Sequence, residues 1–283
     1  MSAPGRRGGA WLAEWGVHYA LLALFVAFAM FPLFWLVKVA VTPTELLYTE
    51  GVRLWPSRTT LENFRFVLTE SDFPRFFLNS VIVSASTALA VTLLAAAAGY
   101  ALSRFAFRGK LALVALMLVT QMFPLVMLIA PIFRTLAPLG LTNSLAGLIL
   151  VYTAFNLPFA IFLMQSFFDG IPRDLEEAAM IDGDTRFGAL RRVILPLALP
   201  GVGATLGFVF TAAWSELLFA LMLVSKADKS TFPVGLLNFV GKFSVDFGQM
   251  MAAGVLALVP ACLFFVMIQR YLVQGLTAGA VKG

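Results

Sequence analysis

The stretch SLAGLILVYTAFNLPFAIFLMQS, residues 144–166, contains no charged side chain. As an α-helix rising 1.5 Å per residue it is about 34 Å long, enough to cross the roughly 30 Å of hydrocarbon in a bilayer. Backbone amides cannot stay unpaired in lipid, so a spanning segment is either a helix or a strand of a closed barrel. A continuous apolar run without period-2 alternation selects the helix.

Working outward from that run, five more segments meet the same test: approximately 17–37, 77–103, 111–130, 200–224 and 252–270. Six spans predict an all-α membrane protein forming a single transmembrane domain over residues 1–283. The bulk composition agrees. The chain is 60% hydrophobic and 12% charged, with a mean hydropathy of +0.91. An ordinary soluble domain has about 25% charged and 45–50% apolar residues. The N-terminal run is longer than a signal-peptide core and reads as a retained signal-anchor helix. Pro32, Pro124, Pro158 and Pro260 are expected to bend or break their spans. The small residues Ala95–Gly99, Gly201, Gly203 and Gly207 predict close helix packing.

The formal charge of +5 fits Lys and Arg beside anionic headgroups. No basic cluster lies on a soluble face, which excludes nucleic acid as a partner. Cys262 and His18 are the only cysteine and histidine. That excludes a disulfide framework, a His-containing triad and a Cys/His metal site, so no catalytic residue, metal or resident cofactor is expected. Arg104, Arg108 and Lys110 crowd the short loop 104–110 and argue that it faces the cytoplasm.

The longest polar segment that reads as structured is 169–199. Pro172 is placed to open a helix. Asp174, Glu176 and Glu177 follow in its first turn, where carboxylates meet the positive end of the helix dipole. Leu175, Ala178, Ala179, Met180 and Ile181 supply a small, partly apolar face, and Gly183 can terminate the helix. Asp184 or Thr185 can cap a second short helix through Arg192, which Pro196 would stop. Two short helices joined by a glycine turn form a rigid lever with a face open to a groove. The segment holds six Asp/Glu against four Arg, the wrong balance for a lipid-binding surface. A protein partner is expected.

Here the chain resembles the permeases of binding-protein-dependent ABC importers. Their loop follows Glu-Ala-Ala, three residues, Gly, nine residues, then Ile-x-Leu-Pro. This sequence reads Glu177-Ala178-Ala179, Gly183 and Val193-Ile194-Leu195-Pro196, with Val193 in the Ile position. The resemblance implies the type I importer fold, with 169–199 as the coupling-helix loop that docks on a cytoplasmic ATPase. Glu177, Ala178, Ala179, Gly183, Val193, Leu195 and Pro196 are the implied coupling residues, and both termini are implied to be cytoplasmic. Asn79–Val83, Tyr100–Arg104 and Trp214–Leu221 look like the carbohydrate-uptake branch, although that branch has Asn where this chain has Ser215. The tail, Gln269-Arg270-Tyr271 and Gly275–Gly283, resembles the smaller maltose-type subunit, whose tail reaches toward the ATPase dimer interface. The implied assembly contains a second homologous permease subunit, two ATPase subunits carrying ATP and Mg, and an external or periplasmic solute-binding protein, all at the inner membrane. The chain itself is expected not to be an enzyme. It lacks a Walker A sequence, since Val240 and Phe243 stand where Gly and Ser/Thr are needed.

Glu216 is the one acidic residue inside an expected span. It reads either as a pathway group bonding a polar solute or as a structural hydrogen-bond partner between the two permease halves. Ser215 and Asn156 are further candidates for the translocation path, and Asn156 equally reads as satisfying the kink at Pro158. The segment 225–251 is expected outside, as a contact for the binding protein or a solvated connector. The solute implied is a neutral sugar or related polar solute. The alternatives are glycerol phosphate or a phosphodiester, or an ion-coupled secondary transporter using Glu216. A membrane-embedded enzyme is excluded by the lack of a reactive cluster.

Overall fold

The run at 144–166 forms one helix, α7 (Leu145–Asp169), which Ser144 caps by accepting a hydrogen bond from the Ala146 amide at 3.2 Å. In the computed structural model, residues 7–241 and 245–280 are described, with side chains for 15–241 and 245–269. Arg270 onward and Lys242 lie outside the described side chains, and with them the tail motif read above. The described residues are helical, apart from turns and one isolated bridge between Val240 and Val245. Among the described residues, four helices are long and apolar enough to cross a membrane: Trp15–Ala40, Phe73–Arg104, Leu145–Asp169 and Phe247–Gln269. Two bent pairs bring the total to as many as six spans.

The chain divides into two compact units. The first comprises residues 1–71 and 239–256. Within it, α1 (Arg7–Ala40) is followed by α2 (Thr44–Thr49) and α3 (Glu62–Thr69). Asn63 of α3 donates to the carbonyls of Ala40 and Thr42 at 2.9 and 3.0 Å, so one buried side chain satisfies the end of α1. Lys38 is buried there, with its ammonium 4.8 Å from the Trp35 ring centroid.

The second unit comprises 72–238 and 257–283. It is built on α4 (Phe73–Arg104) packed along α7. The pairing is tight because Gly99 has no side chain. A Cβ there would lie 2.8 Å from the Gln165 backbone nitrogen and 2.9 Å from Met164 Cβ. Gly201 against Phe167 and Gly207 against Ile268 repeat the device, in line with the small-residue packing expected from sequence.

The expected third span, 111–130, is two helices, α5 (Lys110–Met122) and α6 (Leu125–Leu136), bent by 103°. Pro124 causes the break: it forces Phe123 into an extended conformation, ψ 130°, because the residue before a proline is excluded from the helical region.

The second short helix of the loop also differs from expectation. After α8 (Asp174–Ile181), α9 (Arg186–Ala189) passes through a π-turn at Leu190–Ile194 into α10 (Leu195–Leu197). Pro196 sits in the first turn of α10 and does not stop the helical path, since a proline's missing N–H costs nothing there. The bend comes at Ala198, just ahead of Pro200, and turns the chain by 71° into α11 (Leu199–Trp214). The expected fifth span, 200–224, is interrupted at Ser215–Leu217 before α12 (Leu218–Leu223). A core of Val83, Leu148, Val151, Tyr152, Phe219 and Leu223 joins these elements.

The segment that follows α12 is ordered on this unit as far as α13 (Phe232–Leu236). Asn79 donates to the carbonyls of Asp228 and Ser230, and Ser80 accepts from the Phe232 amide. Asn143, at φ +54°, accepts from the Ser225 and Lys226 amides at 2.6 and 3.1 Å. The final helix, α14, spans Phe247–Ala280.

Candidate functional site

The loop between α7 and α11 is built by local rules that can be read bond by bond. Helix α8 begins with Asp174, Glu176 and Glu177 in its first turn. It ends in a Schellman motif: the Asp184 amide bonds the Ala179 carbonyl and the Gly183 amide bonds that of Met180. That closure requires the left-handed conformation, and Gly183 supplies it at φ +92°. Thr185 then caps α9 by accepting from the Gly188 amide at 3.1 Å. Asp184 pairs instead with Arg192 at 3.0 Å across the turn.

This hairpin presents one face outward. Glu177, Ala178 and Gly183 are exposed, while Ala179 is half-buried. Beside them Ile181 is 86% and Phe187 73% exposed, the two large apolar side chains of the tip. Asp184, Thr185, Phe187, Gly188, Arg191 and Arg192 line a concave patch next to it. Exposed Ile and Phe flanked by charges are the composition of a protein-docking surface. Val193, Leu195 and Pro196 lie elsewhere. They belong to the helical path leading to α11, with Val193 and Leu195 half-buried and Pro196 exposed.

The opposite face of α8 is held down. Glu176 is 3% exposed. It accepts from the Tyr100 hydroxyl at 2.5 Å and faces Arg104 Nε at 3.2 Å. Sequence reasoning saw Glu176 only as a first-turn carboxylate, and Arg104 as a loop charge and the end of the Tyr100–Arg104 stretch, without pairing the two. Their spacing of 72 positions carries no local signal. Phe187 was missed for a similar reason, since a lone Phe in an apolar sequence reads as packing.

The second candidate site is the break after α11. Leu217, at the cap position of α12, has no side chain able to cap it. Glu216 does so instead, its carboxylate accepting from the Phe219 and Ala220 amides at 3.1 and 3.3 Å. The Tyr152 hydroxyl adds a bond at 2.6 Å. The partners of Glu216 are thus within this chain, where the sequence reading placed the structural alternative between two permease halves. Ser215 is exposed and its hydroxyl bonds the Thr211 carbonyl at 2.9 Å. Asn156 donates to the Tyr152 carbonyl at 2.8 Å, two residues ahead of Pro158. Trp214 donates to the Ala257 carbonyl and packs edge-on against Phe77. Tyr152 therefore ties Glu216 and Asn156 into one cluster. The cluster is internally satisfied and leaves Ser215 facing outward.

Comparison with known proteins agrees with this fold. Residues 91–278 match the family described as binding-protein-dependent transport system inner membrane component. The trehalose transport system permease protein SugB of Mycobacterium tuberculosis is 37% identical over 96% of this chain and 99% of its own length. The trehalose/maltose transport system permease protein MalG of Thermococcus litoralis is 36% identical over 92% and 94%. The diacetylchitobiose uptake system permease protein DasC of Streptomyces coelicolor is 36% identical over 90% and 92%. A chain of a bacterial ABC transporter involved in import of the acidic polysaccharide alginate has the same fold. Its TM-score is 0.79 at 20% identity, covering 96% of this chain and 99% of that one. The chain belongs to the inner-membrane components of binding-protein-dependent transport systems, and it is a multi-pass membrane permease, a transport component rather than an enzyme.

Proposed function

We propose that this permease passes a neutral sugar or small oligosaccharide across the inner membrane, driven by separate ATPase subunits that dock on the 169–199 loop. The observation that carries this reading is the hairpin tip. It is fixed by a Schellman turn and a threonine cap, yet leaves Ile181 and Phe187 in solvent beside Glu177 and Ala178. A rigid, amphipathic tip left uncovered by the described residues is suited to a groove on a partner. The working assembly in this reading pairs the chain with a second permease subunit, two ATPases holding ATP and Mg, and an external binding protein. The two compact units act as one permease domain. The loop and both termini face the cytoplasm, in keeping with Arg104, Arg108 and Lys110 in the short segment 104–110. The sugar assignment is supported by relatives named for trehalose, maltose and diacetylchitobiose. Glu216, Ser215 and Asn156 are the polar groups of this chain proposed nearest the solute path, with Glu216 holding the break in shape.

The test is uptake into proteoliposomes containing the assembled complex, with ATP on the loop side, binding protein on the other, and labelled trehalose and maltose as probes. Uptake should require both ATP and binding protein and persist when a protonophore collapses the proton gradient. Gradient-driven uptake without ATP would replace this reading with an ion-coupled carrier. A thermal-shift screen of the binding protein sorts the solute. A shift with neutral sugars is expected, and a shift with glycerol phosphodiesters alone would contradict the sugar assignment.

A further inference from the structure

A push on α8 reaches the membrane helices only through whatever holds α8 to them. The outward face of α8 carries Glu177, Ala178 and Ile181; the inward face carries Glu176, at the spacing that puts adjacent helical residues on different faces. Glu176 lies against the last turn of α4, where its carboxylate and the Arg104 guanidinium have side chains only 4% exposed. The same guanidinium donates from Nη2 to the Ile171 carbonyl at 2.8 Å and from Nη1 to Ser103 Oγ at 3.3 Å. Ser103 Oγ in turn donates to Asp169 at 2.6 Å, and Arg173 donates to the Ser103 carbonyl at 3.0 Å. Tyr100, one turn earlier on α4, closes the cluster on Glu176 and stacks edge-on against buried Phe168.

Apart from the Nη1–Ser103 bond, which lies within α4, these contacts tie the last turns of α4 to the end of α7, the loop after it and α8. A planar guanidinium that pairs with the Glu176 carboxylate and also donates from Nη2 to the Ile171 carbonyl constrains orientation as well as distance, which an apolar contact does not. We infer that Glu176, Arg104 and Tyr100 form a rigid joint that makes α8 and α4 a single lever, so that motion given to the loop is passed to the longest fully described span without slack. These are positioning residues. They act on the bundle through α4 and touch no solute. The inference rests on the reading of the loop as an ATPase-docking element and specifies how that element is connected.

The joint is tested by distance measurement, which needs no solute. In a chain with Cys262→Ser, spin labels are placed at Arg75→Cys and Asp174→Cys, exposed positions at the far end of α4 and the start of α8. Pulsed EPR is recorded on the assembled permease–ATPase complex, nucleotide-free and trapped with MgATP and vanadate. With the native joint the distance distribution is narrow and the same in both states. With Glu176→Gln, or with Arg104→Lys, which keeps the charge and loses the fork, it broadens and its mean shifts on trapping. A native distance that changes on trapping overturns the joint, as do charge variants that stay as narrow and unchanged as the native chain. If neither charge variant accumulates in the membrane, Tyr100→Phe, which removes one hydroxyl, is judged by the same criterion. Co-elution of the ATPase reports docking separately. Its absence from the native complex removes the docking reading and the joint together; its presence with a slack-free Glu176→Gln chain removes the joint alone.

Discussion

Gly183 holds φ at +92° in open surroundings, with no atom within 4 Å of where a Cβ would stand, so the demand on this residue is conformational and not steric. A β-branched side chain there costs about 1–3 kcal/mol of backbone strain. Gly183→Val should therefore reorient the hairpin, cutting ATP-driven uptake about tenfold while the permease still assembles, whereas Gly183→Asn, which tolerates the left-handed region, should retain most activity. Native uptake by the valine variant would contradict the role of the turn. Glu216 makes the opposite case, since its value lies in its acceptors. Glu216→Gln offers one accepting oxygen where the carboxylate offered two, with loss of charge-assisted bonds worth about 1.5–3 kcal/mol. Thermal unfolding should fall accordingly, while the pH profile of ATP-driven uptake stays that of the native protein. A profile that flattens in the variant would show that Glu216 titrates during transport.

At the scale of elements, the α4–α7 crossing is set by backbone-to-backbone approach at Gly99. Gly99→Ala has to move α7 by several tenths of an ångström, an overpacking cost of about 1–3 kcal/mol, and should lower the melting temperature of the purified permease. An unchanged melting temperature would show that the crossing is looser than the geometry says. Helices, caps and glycine contacts of this kind were largely legible in the sequence. Apolar run length gives the spans, and Gly183 and Thr185 act over a few residues, whereas Pro172, read as the helix opener, lies two residues ahead of α8. Two features were legible only in part. Pro124 announced a break, but the 103° angle between α5 and α6 depends on packing that no local pattern encodes. Pro196 read as a stop because a proline opening a short helical segment looks the same in sequence as one ending it. The joint at Glu176 and the anchoring of the segment after α12 by Asn79, Ser80 and Asn143 were not legible, because each pairs positions about 70 to 150 apart in the chain.

On the scale of the whole molecule, the described spans turn long apolar faces toward lipid or a partner. One polar hairpin is fixed to α4 on its inner side and uncovered on its outer side. That asymmetry is what a driven gate requires: a surface for the motor, a stiff connection inward, and a core able to change packing. The claim at its centre is that the outer side of the hairpin binds an ATPase. The most direct test is affinity purification of this chain from a detergent extract of cells producing the complete system, comparing native protein with Ile181→Asp. The exposed position of Ile181 leaves the fold of the variant unaffected. The ATPase should co-elute with the native chain and be lost from the variant while the second permease subunit remains in both eluates. Equal recovery of the ATPase with both chains would contradict the account.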